Sequence, residues 1–264
     1  MINGIINVYK ECGYTSHDVV ARLRGIFGQK KIGHTGTLDP AAEGVLPVCL
    51  GNATKLCGML TDQRKEYVAE LLLGVITDTQ DMTGTVLAKR EAAVSPEEVK
   101  TTVMSFQGTY EQLPPMYSAC KVNGRRLYEL AREGKEVERQ TRPVTIYELE
   151  ILSMELPLVR LRVLCSKGTY IRTLCHDIGK KLGCGGVMKS LLRTRVERFT
   201  VDEAKTLSQV EEAVNAGAGD MLILPVDAMF SHLPAITVKG GCEGSVRNGN
   251  PLFLRQITGK SGWT

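Results

Sequence analysis

The amino-acid sequence predicts an α+β fold in which helices flank a mixed, largely antiparallel sheet. Segments with the apolar pattern of strands alternate with segments that carry helical start and stop signals, and the chain contains no internal repeat or low-complexity stretch. Residues 144–152 and Leu158–Cys165 are rich in β-branched and alternating apolar positions, as expected for two paired strands. The dipeptide Asn123-Gly124 is typical of the tight turn of a hairpin.

The first elements are assigned from apolar patterns and from the residues that begin and end helices. Gly4–Lys10 is predicted to be a strand, and a helix is predicted over residues 17–27. Ser16 is the predicted N-cap of this helix because its hydroxyl can accept a backbone hydrogen bond, and Gly28 is predicted to end it. A short helix is expected over residues 53–60.

The later elements have further boundary signals. Residues 67–73 are predicted to form a mostly buried strand. The tetrapeptide Ser-Pro-Glu-Glu at 95–98 is typical of a capping box with proline at the first helical position, and the helix that it opens is predicted to end near Gly108. Residues 169–182 are interpreted as the end of a strand that runs into a helix, with Gly183 as its stop.

The composition is that of an ordinary globular protein. With 264 residues, 43% of them hydrophobic, the chain can bury the core of one large domain or two modest ones. The sequence has no apolar run long enough to span a bilayer, and its first residues lack the basic-then-apolar pattern of a secretory signal. We therefore expect a cytoplasmic protein with no membrane partner.

The eight cysteines include no C-x-x-C pair and no cluster of Cys and His with metal-ligand spacing. We interpret them as reduced, mostly buried thiols and expect no metal site. They are Cys12, Cys49, Cys57, Cys120, Cys165, Cys175, Cys184 and Cys242.

One segment, GHTGTLDPAAEGVLPVCLGNATK at 33–55, places a carboxylate, Asp39, in a loop rich in Gly and Thr. Pro40 restricts Asp39 to an extended or turn conformation. Taken alone, an Asp-Pro pair in a loop is more often a turn former than a site. Three glycines favour a site, because they allow tight turns and close approach by another molecule. They are Gly33, Gly36 and Gly44.

This segment closely resembles the active-site signature GHTGxLDP of the TruB family of bacterial tRNA pseudouridine-55 synthases. Four further blocks are similar to the family's other blocks and occur in the same order. They are KEYVAELLLGVITDTQDMTG from Lys65, MYSACKVNGRRLYELAREG from Met116, SKGTYIRTLCHDIGKKLGCGG from Ser166, and LLRTRVERF from Leu191. The resemblance covers roughly residues 1–230 and implies the pseudouridine synthase catalytic fold.

The resemblance implies catalytic roles for three residues. Asp39 matches the family's nucleophile, and Arg172 matches the arginine that keeps this carboxylate charged and oriented. Tyr67 matches the active-site tyrosine, which stacks on the target uracil. By their local sequence alone, Arg172 is typical of a surface arginine on a helix and Tyr67 of a core aromatic residue.

The resemblance also implies how the substrate base is bound. Tyr170 and Leu191 match residues that complete the uracil pocket beside Tyr67, and His34 matches a substrate-contacting residue that occupies part of the space left by the extruded base. As a lone histidine, His34 would more often be a hydrogen-bonding loop residue.

The implied reaction is the isomerisation of one uridine, at position 55 in the T-loop of transfer RNA. Breaking the bond between ribose and base and rejoining the base through carbon involves no net redox change and no energy-rich cosubstrate. We therefore expect no cofactor, in agreement with a sequence that lacks dinucleotide-binding and P-loop motifs. The expected partner is the T-arm of transfer RNA, and the expected oligomeric state is a monomer.

Basic residues are clustered along the chain, although the net charge of +4 is too small to indicate a nucleic-acid partner. Clusters that converge in space would form a binding surface for phosphates, whereas separate clusters would only be solvated faces. One cluster, before the aspartate loop, consists of Arg22, Arg24, Lys30 and Lys31. The predicted contacts to the RNA backbone are Lys10, Lys31, Lys121, Arg125, Arg126 and Arg193.

Two other functions fit the sequence less well. An RNA-binding or RNA-folding module could keep this scaffold without turnover, but the joint presence of Asp39, Tyr67 and Arg172 argues against it. A hydrolase that cleaves glycosidic bonds is disfavoured because such enzymes usually need a pair of carboxylates.

The chain departs from the family pattern at two positions and in its last segment. Glu11 replaces a usual proline, which we expect to affect only local stiffness, and Glu197 stands where the family often has glycine. We predict a catalytic domain over 1–230. Residues 231–264 are similar to the beginning of a β-rich, RNA-binding PUA domain and are too few to complete one. Two expectations remain open: the rest of such a domain is missing from this chain, or the segment packs as an appendage on the catalytic domain.

Overall fold

The computed structural model describes residues 1–61 and 63–261 and confirms the α+β prediction. The strands are β1 (Gly4–Lys10), β2 (Ile32–His34), β3 (Glu43–Leu50), β4 (Lys65–Leu73), β5 (Val75–Thr77), β6 (Val86–Lys89), β7 (Gly108–Gln112), β8 (Lys121–Val122), β9 (Arg125–Arg126), β10 (Arg142–Glu155), β11 (Leu158–Cys165), β12 (Gly186–Val196), β13 (Phe199–Thr200), β14 (Ile223–Leu224), β15 (Ala235–Val238) and β16 (Ile257–Ser261). The α-helices are α1 (Ser16–Ile26), α2 (Cys57–Thr61), α3 (Pro96–Met104), α4 (Leu127–Arg132), α5 (Ile171–Lys181), α6 (Leu207–Asn215) and α7 (Glu243–Arg247).

From β1 onward the main sheet runs β1-β3-β12-β4-β11-β10-β7, with β2 beside β3 and β13 beside β12. Along this order the pairs are antiparallel except for β3 with β12, which are parallel. At that junction Gly44 pairs with Arg193, and a Cβ on Gly44 would lie 2.2 Å from the Arg193 carbonyl oxygen. Only glycine permits this approach, which brings the strand after the aspartate loop against β12.

The core consists of two apolar clusters on the main sheet. One packs α3 and α5 against the part of the sheet formed by β4, β10, β11 and β12. The other packs α1 and α6 against β1 and β3. The helix that carries Arg172 is therefore held on the same part of the sheet as Tyr67.

The first helix begins at a different cap from the one predicted. Thr15, not Ser16, is the N-cap: its hydroxyl accepts from the Asp18 amide at 3.0 Å, and the Asp18 carboxylate accepts from the Thr15 amide at 2.8 Å. Ser16 is buried, and its hydroxyl accepts from the Leu38 amide at 2.9 Å. Ser16 thus ties the helix to the residue before Asp39, a contact that local sequence does not reveal.

Other local predictions agree with the structure to different extents. Ser95 forms the predicted capping box, but α3 ends at Met104, and Gly108 instead opens β7. Asn123 and Gly124 have φ values of 51° and 81° and form the predicted hairpin turn between β8 and β9. The helix predicted over 53–60 is a 3₁₀ turn followed by α2.

Glu197 lies in the turn between β12 and β13 with a φ of 48°. This left-handed conformation costs a residue with a Cβ about 1 kcal/mol, whereas glycine adopts it without strain. The backbone here thus gives a physical reason why the family often has glycine where this chain has Glu197.

The chain divides into two compact units, Met1–Ile223 and Leu224–Thr264. This division falls earlier than the boundary predicted after residue 230. In the second unit, β15 and β16 form an antiparallel pair and α7 is a short helix. Across the described residues of the chain, no helix is long and apolar enough to cross a membrane.

Candidate active site

A cavity of about 550 Å³ lies in the first unit, next to the aspartate loop. Five of the residues predicted for catalysis or for binding the base line it: Asp39, Tyr67, Tyr170, Arg172 and Leu191. These side chains come from the loop between β2 and β3, from β4, from the start of α5, and from β12. The fold therefore brings together residues that are far apart in the sequence.

Asp39 and Arg172 form an ion pair at the wall of the cavity. The Arg172 Nε lies 2.9 Å from the Asp39 Oδ2, and the arginine side chain is 5% exposed whereas that of Asp39 is 39% exposed. Arg172 Nη1 donates to the Thr79 carbonyl at 3.0 Å, and Nη2 donates to the Tyr117 carbonyl at 2.8 Å. The guanidinium is fixed on three sides, so it can hold the carboxylate in one orientation while leaving part of it open.

A second carboxylate, Asp81, faces the same arginine. Its Oδ2 lies 3.8 Å from the Arg172 Nε, and its Oδ1 accepts from the Thr79 hydroxyl and from the Thr83 amide and hydroxyl. Asp81 is buried. Sequence reasoning assigned it no role, although the run TDTQD within the second block, with its alternating Thr and Asp, was an available signal.

The local environment makes Asp39 a weaker acid than an ordinary aspartate. Burial raises the pKa of its carboxyl group, the Arg172 charge lowers it, and the Asp81 charge raises it again, so that the pKa lies above its usual value. A carboxylate of raised pKa is a stronger base and nucleophile once ionised. The paired arginine favours that ionised form.

Tyr67 lies on β4 with its side chain buried at the cavity. Burial raises the pKa of its phenol to about 12, although the nearby charge of Arg193 lowers it in part. The Tyr67 hydroxyl is therefore protonated and neutral at physiological pH. The side chain provides an aromatic surface and a hydroxyl, as stacking on a base requires.

Arg193 does not lie where an RNA-backbone contact is expected. It is 1% exposed on β12, directly opposite Tyr67 in the sheet, and its Nε donates to the Val45 carbonyl at 2.7 Å. Its Nη2 is buried and has no hydrogen-bond partner among the described residues. The prediction of a surface phosphate contact is wrong for this residue, because the side chain is enclosed between β3 and β4 at the cavity.

Lys10 is a second correction. It is fully buried, and its ammonium donates to the carbonyls of Glu11, Tyr14 and Pro40 at 3.1, 2.6 and 3.2 Å. With its donors directed at backbone oxygens, Lys10 cannot offer its charge to a phosphate at the surface. It instead braces the aspartate loop, since Pro40 follows Asp39.

Tyr170 and Leu191 form further walls of the cavity. The Tyr170 hydroxyl lies 3.2 Å from the Cys120 thiol, and burial raises the pKa of this tyrosine. Leu191 is 9% exposed and belongs to the larger core cluster. Both side chains shape the cavity without introducing a charge.

His34 lies away from this cavity, in a separate cleft of about 530 Å³. Its Nδ1 accepts from the Gly36 amide at 3.3 Å, and burial lowers its pKa, so the imidazole is neutral at physiological pH. The lining residues of this cleft, as far as the structure describes them, include no carboxylate. They are His17, Val20, Arg24, Lys30, Lys31, Ile32, Gly33, His34, Thr54 and Cys57.

The basic cluster before the aspartate loop thus converges only in part. Arg24, Lys30 and Lys31 line the cleft that contains His34, which we call the basic cleft. Arg22 instead pairs with Glu211 at 3.0 Å. The cleft begins at His34, five residues before Asp39 in the chain. The cleft presents positive charge, which attracts an anionic strand.

The basic residues of the β8–β9 hairpin remain at the surface. Lys121, Arg125 and Arg126 are exposed, as an RNA-backbone contact requires. Arg125 forms an ion pair with Glu133, and the Arg126 Nη1 donates to the Tyr128 hydroxyl at 2.9 Å. Their role in RNA binding stays a prediction. In the described part of the chain, no group of three or more His, Cys, Asp or Glu residues could hold a metal ion.

Comparison with known proteins places this geometry in a family. The model of the TruB family pseudouridylate synthase N-terminal domain matches residues 24–171, and that of the tRNA pseudouridylate synthase B C-terminal domain matches residues 172–231. The chain belongs to the TruB family of pseudouridylate synthases. The family models thus confirm the resemblance of the five sequence blocks.

Close relatives match the TruB chain over most of its length. The tRNA pseudouridine synthase B of Lachnoclostridium phytofermentans is 56% identical over 266 residues, covering 97% of this chain and 86% of the relative. That of Alkaliphilus oremlandii is 50% identical over 256 residues, covering 97% and 85%.

Solved structures support the fold. A Cbf5-Nop10-Gar1 complex matches with a TM-score of 0.75 and 32% identity over 98% of this TruB chain and 70% of the other chain. An H/ACA RNP bound to a substrate RNA containing 2'-deoxyuridine matches with a TM-score of 0.73 and 30% identity over the same shares. At this similarity the main sheet and its helices share the fold of the matched chains in both structures.

Proposed function

We propose that this chain isomerises the uridine at position 55, in the T-loop of transfer RNA, and that Asp39 is its nucleophile. Its membership of the TruB family makes it an isomerase, a transfer RNA pseudouridine synthase. The observation that carries the finer proposal is the Asp39–Arg172 ion pair at the cavity wall. Among the described residues that line the cavity, Asp39 is the only one with a carboxylate.

The reaction requires the bond between ribose C1′ and uracil N1 to break, the base to turn, and a new bond to form between C1′ and uracil C5. The hydrogen of C5 then leaves as a proton, and N1 takes up a proton, so the product has the same atoms as the substrate. An ionised carboxylate held by a fixed arginine can supply the nucleophile for this sequence. Asp39 has that partner in Arg172, together with a partly open oxygen face and a raised pKa. The isomerisation conserves the atoms of the substrate and involves no external reductant or oxidant.

The cavity also suits a base that has left its stack. Its volume of about 550 Å³ admits a nucleotide, and Tyr67, Tyr170 and Leu191 present the aromatic and apolar surfaces that a flipped uracil needs. In this proposal the backbone beside the flipped nucleotide runs toward the basic cleft. Arg24 and Lys31 are placed there to contact phosphates.

The test is to incubate the protein with unmodified transfer RNA and to map pseudouridine at nucleotide resolution. The expected product is one pseudouridine at position 55. Two controls are the Asp39→Asn variant and a transfer RNA with cytidine at position 55, and neither should give product. Binding without product would instead indicate an RNA-binding module, and release of free uracil would indicate a hydrolase.

A further inference from the structure

Gln112 is a buried polar residue at the wall of the cavity to which the proposed reaction assigns no role. It is the last residue of β7, at the edge of the main sheet, and is 1% exposed. A buried amide is costly unless its donors and acceptor are satisfied. Its partners therefore show what it stabilises.

The Gln112 amide binds both backbone groups of one active-site residue. Its Oε1 accepts from the Tyr170 amide at 2.8 Å, and its Nε2 donates to the Tyr170 carbonyl at 3.1 Å. The second hydrogen of Nε2 is directed at the Tyr110 hydroxyl at 2.5 Å. Both hydrogens and the oxygen of the amide are used, so the side chain is locked in one orientation.

Tyr170 is the N-cap of α5, and in the described structure its own side chain makes no capping hydrogen bond to the helix. Its hydroxyl points instead to Cys120 at the cavity, and Arg172 follows two residues later. Gln112 thus connects the edge strand to the position where α5 begins. The orientation of the Tyr170 ring and the reach of Arg172 to Asp39 both depend on that position.

We propose that Gln112 is a positioning residue for the isomerisation, holding Tyr170 and the first turn of α5 against the bound uridine. This inference rests on the proposed function. The bidentate contact needs a donor and an acceptor on one planar group at this length. Glutamate keeps the acceptor and loses the donor when ionised, and leucine keeps only the volume.

The predicted effect is on the chemical step. A displacement of about 1 Å in a reacting group costs on the order of 100-fold in rate. We expect Gln112→Leu to lower the single-turnover rate by about 30- to 100-fold. Gln112→Glu should lower it by a similar factor, because an ionised glutamate keeps one backbone hydrogen bond but turns its second oxygen toward the Tyr170 carbonyl. Affinity for transfer RNA should stay within about threefold, since Gln112 is buried and offers nothing to the RNA backbone.

The matched control is Gln107→Glu, the same exchange at an exposed glutamine in the turn after α3. It should leave the rate unchanged. A double-mutant cycle then separates positioning from general stability. Tyr170→Ala keeps the backbone groups that Gln112 binds and removes the ring, so in this background Gln112→Leu should lose the part of its effect on the rate that acts through the ring. A destabilised core would lower the rate equally in both backgrounds.

Three results would overturn the inference while the parent remains active: parental rates in both Gln112 variants, a rate loss matched by an equal loss of RNA affinity, or full additivity with Tyr170→Ala. If Gln112→Leu fails to fold, Gln112→Glu, which has nearly the same shape, decides the first two outcomes and enters the cycle. A parent protein that makes no pseudouridine would refute the proposed function instead.

Discussion

Replacing Asp39 by asparagine should abolish the chemistry while leaving the fold and RNA binding in place. The exchange keeps the shape of the side chain and removes its charge. Among the described residues that line the cavity, no other carboxylate is present to take over. Loss of a nucleophile acting in a unit with its partners costs roughly 10⁴-fold or more in rate.

The stability of this variant follows from the direction of the pKa shift. The pKa of the Asp39 carboxyl is raised in the folded protein, chiefly by burial, so the folded state binds a proton here more readily than the unfolded chain. The contribution of this group to stability is present at low pH and is lost as the pH rises through the folded-state pKa. At neutral pH the charged Asp39 therefore brings no net gain, and the neutral asparagine relieves a cost.

The ion pair with Arg172 changes this expectation little. Asp39 is 39% exposed, and a partly solvated pair contributes about 1 kcal/mol or less. In the Asp39→Asn variant, Arg172 still donates hydrogen bonds to the carbonyls of Thr79 and Tyr117 and still faces the carboxylate of Asp81. We expect the melting temperature of Asp39→Asn to lie within about 4 °C of the parent or above it.

The assay combines three measurements on the same preparation: pseudouridine formed in a single turnover, affinity for unmodified transfer RNA, and the thermal melting curve. Affinity should stay within about tenfold of the parent. A variant that isomerises at a comparable rate would refute the assignment of the nucleophile. A variant that melts well below the parent and loses binding would show that the charged Asp39 stabilises the folded protein, contrary to the expectation from its burial.

Further predictions concern the arginine support, the basic cleft and the strained turn. Asp81→Asn should lower the single-turnover rate by about 10- to 100-fold with unchanged RNA affinity, because the guanidinium loses a facing charge; equal rates would contradict this. Charge reversal at Arg24 and Lys31 should weaken transfer RNA binding and flatten its salt dependence, whereas reversal at the exposed Lys100 should not; a filter-binding salt titration checks both. Glu197→Gly should raise the free energy of unfolding by about 1 kcal/mol in urea titration, since glycine relieves the positive φ; a lower midpoint would exclude strain there.

Short-range patterns predicted much of the local structure. The Ser95 capping box, the Asn123-Gly124 turn and the strands Gly4–Lys10 and Leu158–Cys165 follow from neighbouring residues, and the structure has each of them. Capping and tight turns involve groups within a few residues, so sequence carries their signal directly. The predicted ends of helices are also wrong by only a few residues. The first helix, for example, is capped at Thr15, one residue before the predicted cap.

Short-range patterns did not predict the roles of several charged and polar residues. Lys10 and Arg193 read as surface cations in the sequence, but the fold encloses both, one on backbone carbonyls and the other between strands. The sequence predicted no role for Asp81 or Gln112. In the structure Asp81 faces Arg172, and Gln112 binds Tyr170, where the helix that carries Arg172 begins.

The sequence by itself determined the family, the α+β class and the identity of the residues proposed for the chemistry, because these depend on ordered blocks around Asp39 and on local periodicity. Only the tertiary structure decided which side chains meet. Arg193 binds the carbonyl of Val45, 148 positions away, and Gln112 binds Tyr170 across 58 positions. Burial and hydrogen-bond partners are set by strand order and by helix packing, which join segments that local sequence cannot relate.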